Sequence, residues 1–338
     1  MGGTMLAGRL DVATKDFEIV EVPIPAPGPG EVLVKVAAAG VCLSDVHLIE
    51  GMLRPLYLKG EAVTLGHEVA GAVHALGPGV TAASPGDRVL LQAGERTPDG
   101  VVLTRGVDYD GGWAEYALAK VETLVPIPDS LPFEQACFIP DAVSTPWAAI
   151  TRTGLTRPGE AAGVWGVGGL GAHAVQLLRM MGAHPIVAAD PLPAARERAI
   201  EFGADLALDP ADWKFSAKVR EATGGRGLDV GFDFAGVAPV REQAAKVLAE
   251  EGRLVLVGLT DQPLTLTDGT RFSYLRQQVR GHYGSEADDV TKLVALVEGG
   301  RLDFARSVSG AYPLRDAAQA VRALEHKEGD PIRLVLLP

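Results

Sequence analysis

Hydrophobic and polar positions change rhythm at about residue 141. Before it, short alternating runs are separated by turn residues. Glu31-Val32-Leu33-Val34-Lys35-Val36 alternates after the turn-rich Pro23-Ile24-Pro25-Ala26-Pro27-Gly28-Pro29-Gly30. Residues 67–74 have strand character, and Pro85-Gly86-Asp87 leads into Arg88-Val89-Leu90-Leu91. Short period-two runs between turn signals predict strands, and their regular spacing predicts a barrel-like all-β unit. After residue 141, short apolar runs at 161–165, 185–189, 229–234 and 253–257 read as strands. Residues 170–181, 194–202 and 240–248 have helical spacing. Strands alternating with helices predict a parallel sheet with right-handed crossovers. The tail returns to mixed character, with a helix near 316–325 and a last strand at 332–336. The pattern therefore predicts an α/β chain, a doubly wound parallel sheet joined to a mostly-β unit.

Composition narrows the possibilities. The 338 residues suggest two domains, and 47% hydrophobic content suffices for two cores. A net charge of -12 with no offsetting basic cluster argues against nucleic acid or an anionic membrane as a partner. The two cysteines, Cys42 and Cys137, make no disulfide framework, which favours a reducing cytoplasm. The first ten residues lack the apolar core of a signal peptide. The most apolar stretch, 163–181, is glycine-rich and carries His173 and Arg179, so it does not read as a membrane span.

The second half holds a nucleotide signature. Gly166-Val167-Gly168-Gly169-Leu170-Gly171 lies between a predicted strand and a predicted helix. Gly166 permits the tight turn, Gly168 lets a pyrophosphate approach the backbone, and Gly171 lets the helix pack closely on the sheet. The helix start offers free N–H groups and a positive dipole end to phosphates. Asp190 ends the next strand, 24 residues after Gly166. Its carboxylate suits a ribose hydroxyl and repels a 2′-phosphate, so NAD is favoured over NADP. Arg196 nearby works against a strict preference. A tight turn without a ligand is the plain alternative, disfavoured by the flanking elements and the acid.

The first half holds candidate metal ligands. Cys42 and His67 sit in Gly40-Val41-Cys42-Leu43-Ser44-Asp45-Val46-His47 and Gly66-His67-Glu68. Catalytic zinc takes three protein ligands and leaves one position open. Cys137 could be the third, but it lies in an apolar helix-like stretch and fits a small buried hydrophobe better. Asp141, just past Pro140, is the better candidate. One thiolate, one neutral imidazole and one carboxylate neutralise Zn²⁺ and leave it electrophilic. Glu68 would make the centre anionic and is read as a nearby or displaceable ligand. The pair alone is weak evidence, since either residue could be structural. His74, His173, His184, His282 and His326 read as structural or surface residues.

Together these motifs resemble the medium-chain dehydrogenase/reductase family, specifically its zinc-dependent alcohol dehydrogenases. The likeness runs nearly end to end and includes Gly-Asp-Arg-Val at 86–89 and Gly-Gly-Trp-Ala-Glu-Tyr at 111–116. The resemblance implies a GroES-like catalytic domain at 1–142, a Rossmann NAD-binding domain at 143–284, and a return to the catalytic domain at 285–338. Their cleft would hold a small alcohol or carbonyl substrate. It implies Cys42, His67 and Asp141 as zinc ligands, with Asp45 steadying the imidazole. Ser44 would receive the substrate proton and His47 would pass it outward. Thr145, Val257 and Leu259 would lie beside the nicotinamide, and Arg333 at the pyrophosphate. It also implies a homodimer or homotetramer. Two departures stand out. Residues 92–110 lack the four cysteines of a second, structural zinc, so one zinc per chain is expected. Leu43 stands where some relatives carry a basic residue for the phosphates.

Pocket candidates are Leu53, Ala93, Trp113 and Trp147, and the small Ala93 leaves room for a bulky or secondary alcohol. A polyol dehydrogenase fits within this reading. Competing readings are a zinc-free quinone or enoyl reductase of the same fold and a non-enzymatic nucleotide sensor. Neither gives a reason for the Cys42, His67 and Asp141 set.

Overall fold

A computed structural model describes residues 3–338 and divides the chain into two compact units. One unit runs to Asp141 and resumes at Ala287; the other is Ala142–Glu286.

The first unit is mostly β. Its main sheet has the order Leu124–Pro126, Arg88–Leu91, Val69–Leu76, Glu31–Val41, Arg333–Leu337, Val308–Pro313, with Tyr116–Lys120 also paired to Glu31–Val41. All its pairings are antiparallel except that between the last two strands. A smaller antiparallel sheet joins Phe17–Pro23, Thr4–Asp11 and Ala62–Thr64. The long strand Glu31–Val41 exposes only Lys35 and is almost fully buried at its end. Register shifts near Leu33/Val34 and Val36/Ala38 re-aim that end, as bulges do. Gly71 is needed opposite it, because a Cβ there would lie 2.2 Å from the Lys35 carbonyl oxygen. Val32, Val34, Val69, Leu91 and Trp113 build the core beside the helix Ala317–Glu325. Each large apolar side chain so buried contributes about 1.5–3 kcal/mol.

The second unit carries a six-stranded, all-parallel sheet in the order Leu206–Leu208, Ile186–Ala189, Ala162–Trp165, Leu228–Asp233, Leu248–Leu256, Gln278–Gly281. The strand order reverses between Ala162–Trp165 and Leu228–Asp233, and ligands of open sheets bind at such a switch point. The central strand Ala162–Trp165 is buried throughout, as a strand covered on both faces should be. The helix Gly169–Met181 follows the glycine turn and stops at Gly182, whose φ of 82° suits the left-handed cap.

Within this parallel sheet two strands lie outside the sequence expectation, Leu206–Leu208 and Gln278–Gly281. Both are edge strands, one only three residues long and the other polar, and neither leaves a clear periodic signal. In the first unit, strands such as Thr4–Asp11, Phe17–Pro23 and Val308–Pro313 lie outside the expectation as well. The expected strand at 67–74 instead begins at Val69. His67 and Glu68 precede it, after the turn at Gly66 with φ of 94°. Among the described residues, no helix is long and apolar enough to cross a membrane.

Candidate metal and nucleotide sites

Three sequence positions meet in the first unit. Cys42 starts the helix Leu43–Glu50, His67 follows the Gly66 turn, and Asp141 lies in the π-helical turn Ile139–Val143. Such turns gather at functional sites. Asp141 Oδ2 is 3.4 Å from Cys42 Sγ and 3.3 Å from His67 Nε2. Zinc bonds of 2.0–2.3 Å in a tetrahedron place S and O ligands about 3.5 Å apart and N and O ligands about 3.3 Å apart. Both Asp141 distances therefore fit zinc, and the three donors, of types zinc takes, lie within 4.8 Å of one another. Cys42 and His67 are buried and Asp141 is partly open.

Asp45 supports two of these donors. Its Oδ2 accepts the Cys42 backbone N–H at 3.0 Å, and its Oδ1 faces His67 Nδ1 at 3.5 Å. At 1% exposure, Asp45 is a fixed orienting charge. Burial opposes the His67 cation, yet Asp45, Asp141 and Cys42 together hold its pKa well above the ordinary imidazole range. Ser44 Oγ lies 3.4 Å from His67 Nε2, and His47 is three residues further along the same helix.

Glu68 is fully buried and paired with the Arg333 guanidinium. Burial pushes its carboxyl up to about 7, against the pull of Arg333. Arg333 is itself raised, because the Glu68, Cys42 and Asp141 charges outweigh its burial. Its ring neighbour is Phe138. Gly40 makes room for the pair: a Cβ there would lie 1.9 Å from Glu68 Oε2. Cys137 stays apart, its thiol directed at the Glu134 carbonyl and pushed up by burial, so it remains protonated.

Trp113 is a correction to the pocket candidates. It is fully buried, donates its indole N–H to the Gly40 carbonyl at 2.9 Å, and packs where a Gly66 side chain would sit. It braces the strand end at Gly40 and the turn at Gly66, which present Cys42 and His67, and cannot line an open pocket. Leu53 and Ala93 are half-buried in the same unit, and Trp147 is half-buried in the second unit.

The second unit gathers the nucleotide residues. Gly166 has φ of 84°, and a Cβ on Gly171 would lie 1.8 Å from the Gly166 carbonyl oxygen. Gly168 faces open space at the helix start, followed by Gly169 and Leu170. Asp190 accepts from the Val167 N–H at 2.8 Å and the Leu192 N–H at 2.9 Å, tying the glycine turn to the next strand. Arg196 donates to the Asp190 and Pro191 carbonyls at 2.8 Å each.

Thr145 is buried, and its carbonyl lies 3.1 Å from His282 Nε2, while His282 Nδ1 lies 2.8 Å from Thr153 Oγ1. Val257 and Gly258 both donate to the Asp233 carbonyl, leaving Leu259 exposed. Sequence reasoning missed Asp233, which accepts the Ala235 and Gly236 N–H groups and pairs with Arg241 at 2.7 Å. Arg241 also donates to the Gly258 carbonyl. An acid closing an apolar strand was the available signal.

The chain is similar to known dehydrogenases in sequence and in structure. Residues 28–129 match the alcohol dehydrogenase GroES-like domain family, and residues 169–299 match the zinc-binding dehydrogenase family. An NDMA-dependent alcohol dehydrogenase of Amycolatopsis methanolica is 32% identical, covering 98% of this chain and 98% of its own. An alcohol dehydrogenase of Geobacillus stearothermophilus is 34% identical over 78% of this chain and 80% of its own. The crystal structure of 2R,3R-butanediol dehydrogenase from Bacillus subtilis superimposes with a TM-score of 0.89, covering 99% of each chain at 27% identity.

Proposed function

The chain belongs to the zinc-dependent alcohol dehydrogenases of the medium-chain dehydrogenase/reductase family, and from that premise we propose how its residues carry the reaction. It is an oxidoreductase that interconverts alcohols and carbonyl compounds, acting on small molecules with a nicotinamide cofactor. We assign one zinc per chain to Cys42, His67 and Asp141. Bound there, zinc supplies a Lewis acid that lowers the pKa of a nearby hydroxyl. The observation that carries the assignment is that Asp141 Oδ2 lies at ligand spacing from both Cys42 Sγ and His67 Nε2, with all three donors within 4.8 Å of one another.

Ser44 Oγ, beside His67 Nε2, takes the substrate hydroxyl proton, and His47 passes it outward from the same helix face. Asp45 holds the imidazole in orientation. Glu68 stays out of the ligand set because Arg333 engages its carboxylate.

NAD is the assigned cofactor. Its phosphates meet the turn of Gly166, Gly168, Gly169, Leu170 and Gly171, and Thr145, Val257 and Leu259 flank the nicotinamide. Each Asp190 oxygen keeps a lone pair for ribose hydroxyls beyond its one backbone bond. Arg196 engages the Asp190 and Pro191 carbonyls through one guanidinium nitrogen, Nη1. We assign the protein to the cytoplasm as a homodimer or homotetramer.

The test is NAD⁺ and NADP⁺ reduction over a panel of alcohols, with and without a chelator, alongside metal analysis. Zinc at one per chain and chelator-sensitive NADH formation are expected. Full turnover by metal-free protein would remove the zinc assignment, and equal use of NADP⁺ would remove the role of Asp190.

A further inference from the structure

The helix bearing Ser44 and His47 runs into a loop, residues 51–61, with little to hold it. Leu53 donates its N–H to the His47 carbonyl at 3.0 Å, and Leu53 and Leu58 pack on the core. Between them, the N–H groups of Leu56 and Tyr57 both donate to Asp108 Oδ1, at 3.2 and 3.0 Å. Among the described residues, these are the only hydrogen bonds made by residues 54–60. The other Asp108 oxygen accepts the Thr104 N–H at 2.9 Å. One carboxylate thus joins this loop to the hairpin Gly94–Arg96 and Val102–Thr104.

The hairpin is well anchored. Arg105 is buried and donates to the Gln92 and Leu118 carbonyls, with its guanidinium 5.1 Å from the Tyr109 ring. The loop offers the opposite character. Among the described residues of this unit five large apolar side chains are exposed, and four of them lie between positions 43 and 57: Leu43 at 45%, Met52 at 58%, Leu56 at 81% and Tyr57 at 48%. Exposed apolar side chains gathered on one segment, here the helix that carries Ser44 and His47 and the loop that follows it, mark a ligand rim more than ordinary surface.

Resting on the proposed alcohol chemistry at Ser44 and the metal site, we infer that Asp108 is a positioning residue for substrate choice. It fixes the apolar rim formed by Leu56 and Tyr57, and the substrates favoured are alcohols with a bulky apolar group. Asp108 touches neither the metal donors nor the reacting hydroxyl, and it acts through the loop backbone.

The test uses zinc-loaded full-length protein with ethanol and 1-phenylethanol. In Asp108→Ala the ratio of kcat/KM for 1-phenylethanol over ethanol should fall about tenfold, through a higher KM for the larger alcohol, as a hydrophobic contact commands. Zinc should stay at the wild-type stoichiometry. Asp108→Asn should recover part of the ratio, since its amide oxygen can still accept the loop N–H groups. Leu56→Ala and Tyr57→Ala change the rim without touching the hairpin and should lower the same ratio. An unchanged ratio in folded Asp108→Ala would overturn the inference. If Asp108→Ala does not fold, an unchanged ratio in both rim variants would do so. Failure of the wild-type protein to oxidise either alcohol would instead overturn the proposed function.

Discussion

Individual residues in this chain act through the partners that the fold assigns them. Asp141 completes the donor set, so Asp141→Ala should strip zinc and alcohol oxidation while NADH still binds; retained full activity would remove Asp141 from the mechanism. Asp45 touches no substrate, yet it faces His67 Nδ1. Asp45→Asn should weaken zinc binding by about 10–100-fold, read by competition with a chromophoric chelator. The raised pKa of His67 adds a pH dependence. A metal-free imidazole with that pKa keeps its proton above the usual range, and zinc must displace it. Zinc uptake should therefore release a proton, and affinity should rise with pH until His67 is neutral. Calorimetry in buffers of different ionisation enthalpy measures this directly, and no buffer dependence would refute it.

Elements differ in how openly the sequence declares them. The glycine turn was legible because its geometry demands glycine at set spacings, and the structure gives each a separate reason. A Cβ at Gly171 meets a backbone oxygen, whereas one at Gly168 meets open space. Gly171→Ala should thus lose both thermal stability and NADH affinity. Gly168→Ala should keep its melting temperature and lose only affinity, because its side chain would stand where the pyrophosphate approaches. Equal losses in both variants would contradict these separate roles. The edge strands Leu206–Leu208 and Gln278–Gly281 were not legible, because neighbouring strands rather than local periodicity define them. The π-helical turn around Asp141 was hidden for a similar reason: it is a local insertion in helical geometry with no composition of its own.

At the scale of the whole molecule, the lobe at residues 92–110 holds its shape without four cysteines. Arg105, Asp108 and Asp110 supply the cross-links, with Asp110 accepting from Arg9 and from the Thr64 N–H. Chelation should therefore remove one zinc per chain and leave hydrogen exchange at residues 94–110 unchanged. The loss of melting temperature should match the binding energy of that single ion. A second chelatable zinc, or melting of this lobe, would contradict the assignment.

The sequence by itself determined the two rhythms of the chain, the glycine turn, the acid after it and the residue types suited to zinc. Each is fixed by local spacing or by the chemistry of a side chain. Only the tertiary structure decided which of these groups meet. It set Asp141 against Cys42 and His67, across 99 and 74 residues of chain. It also engaged Glu68 with Arg333 and buried Trp113 as a brace. Such contacts depend on strand register and turn conformation, which bring distant positions within a few ångströms and leave no periodic trace along the chain.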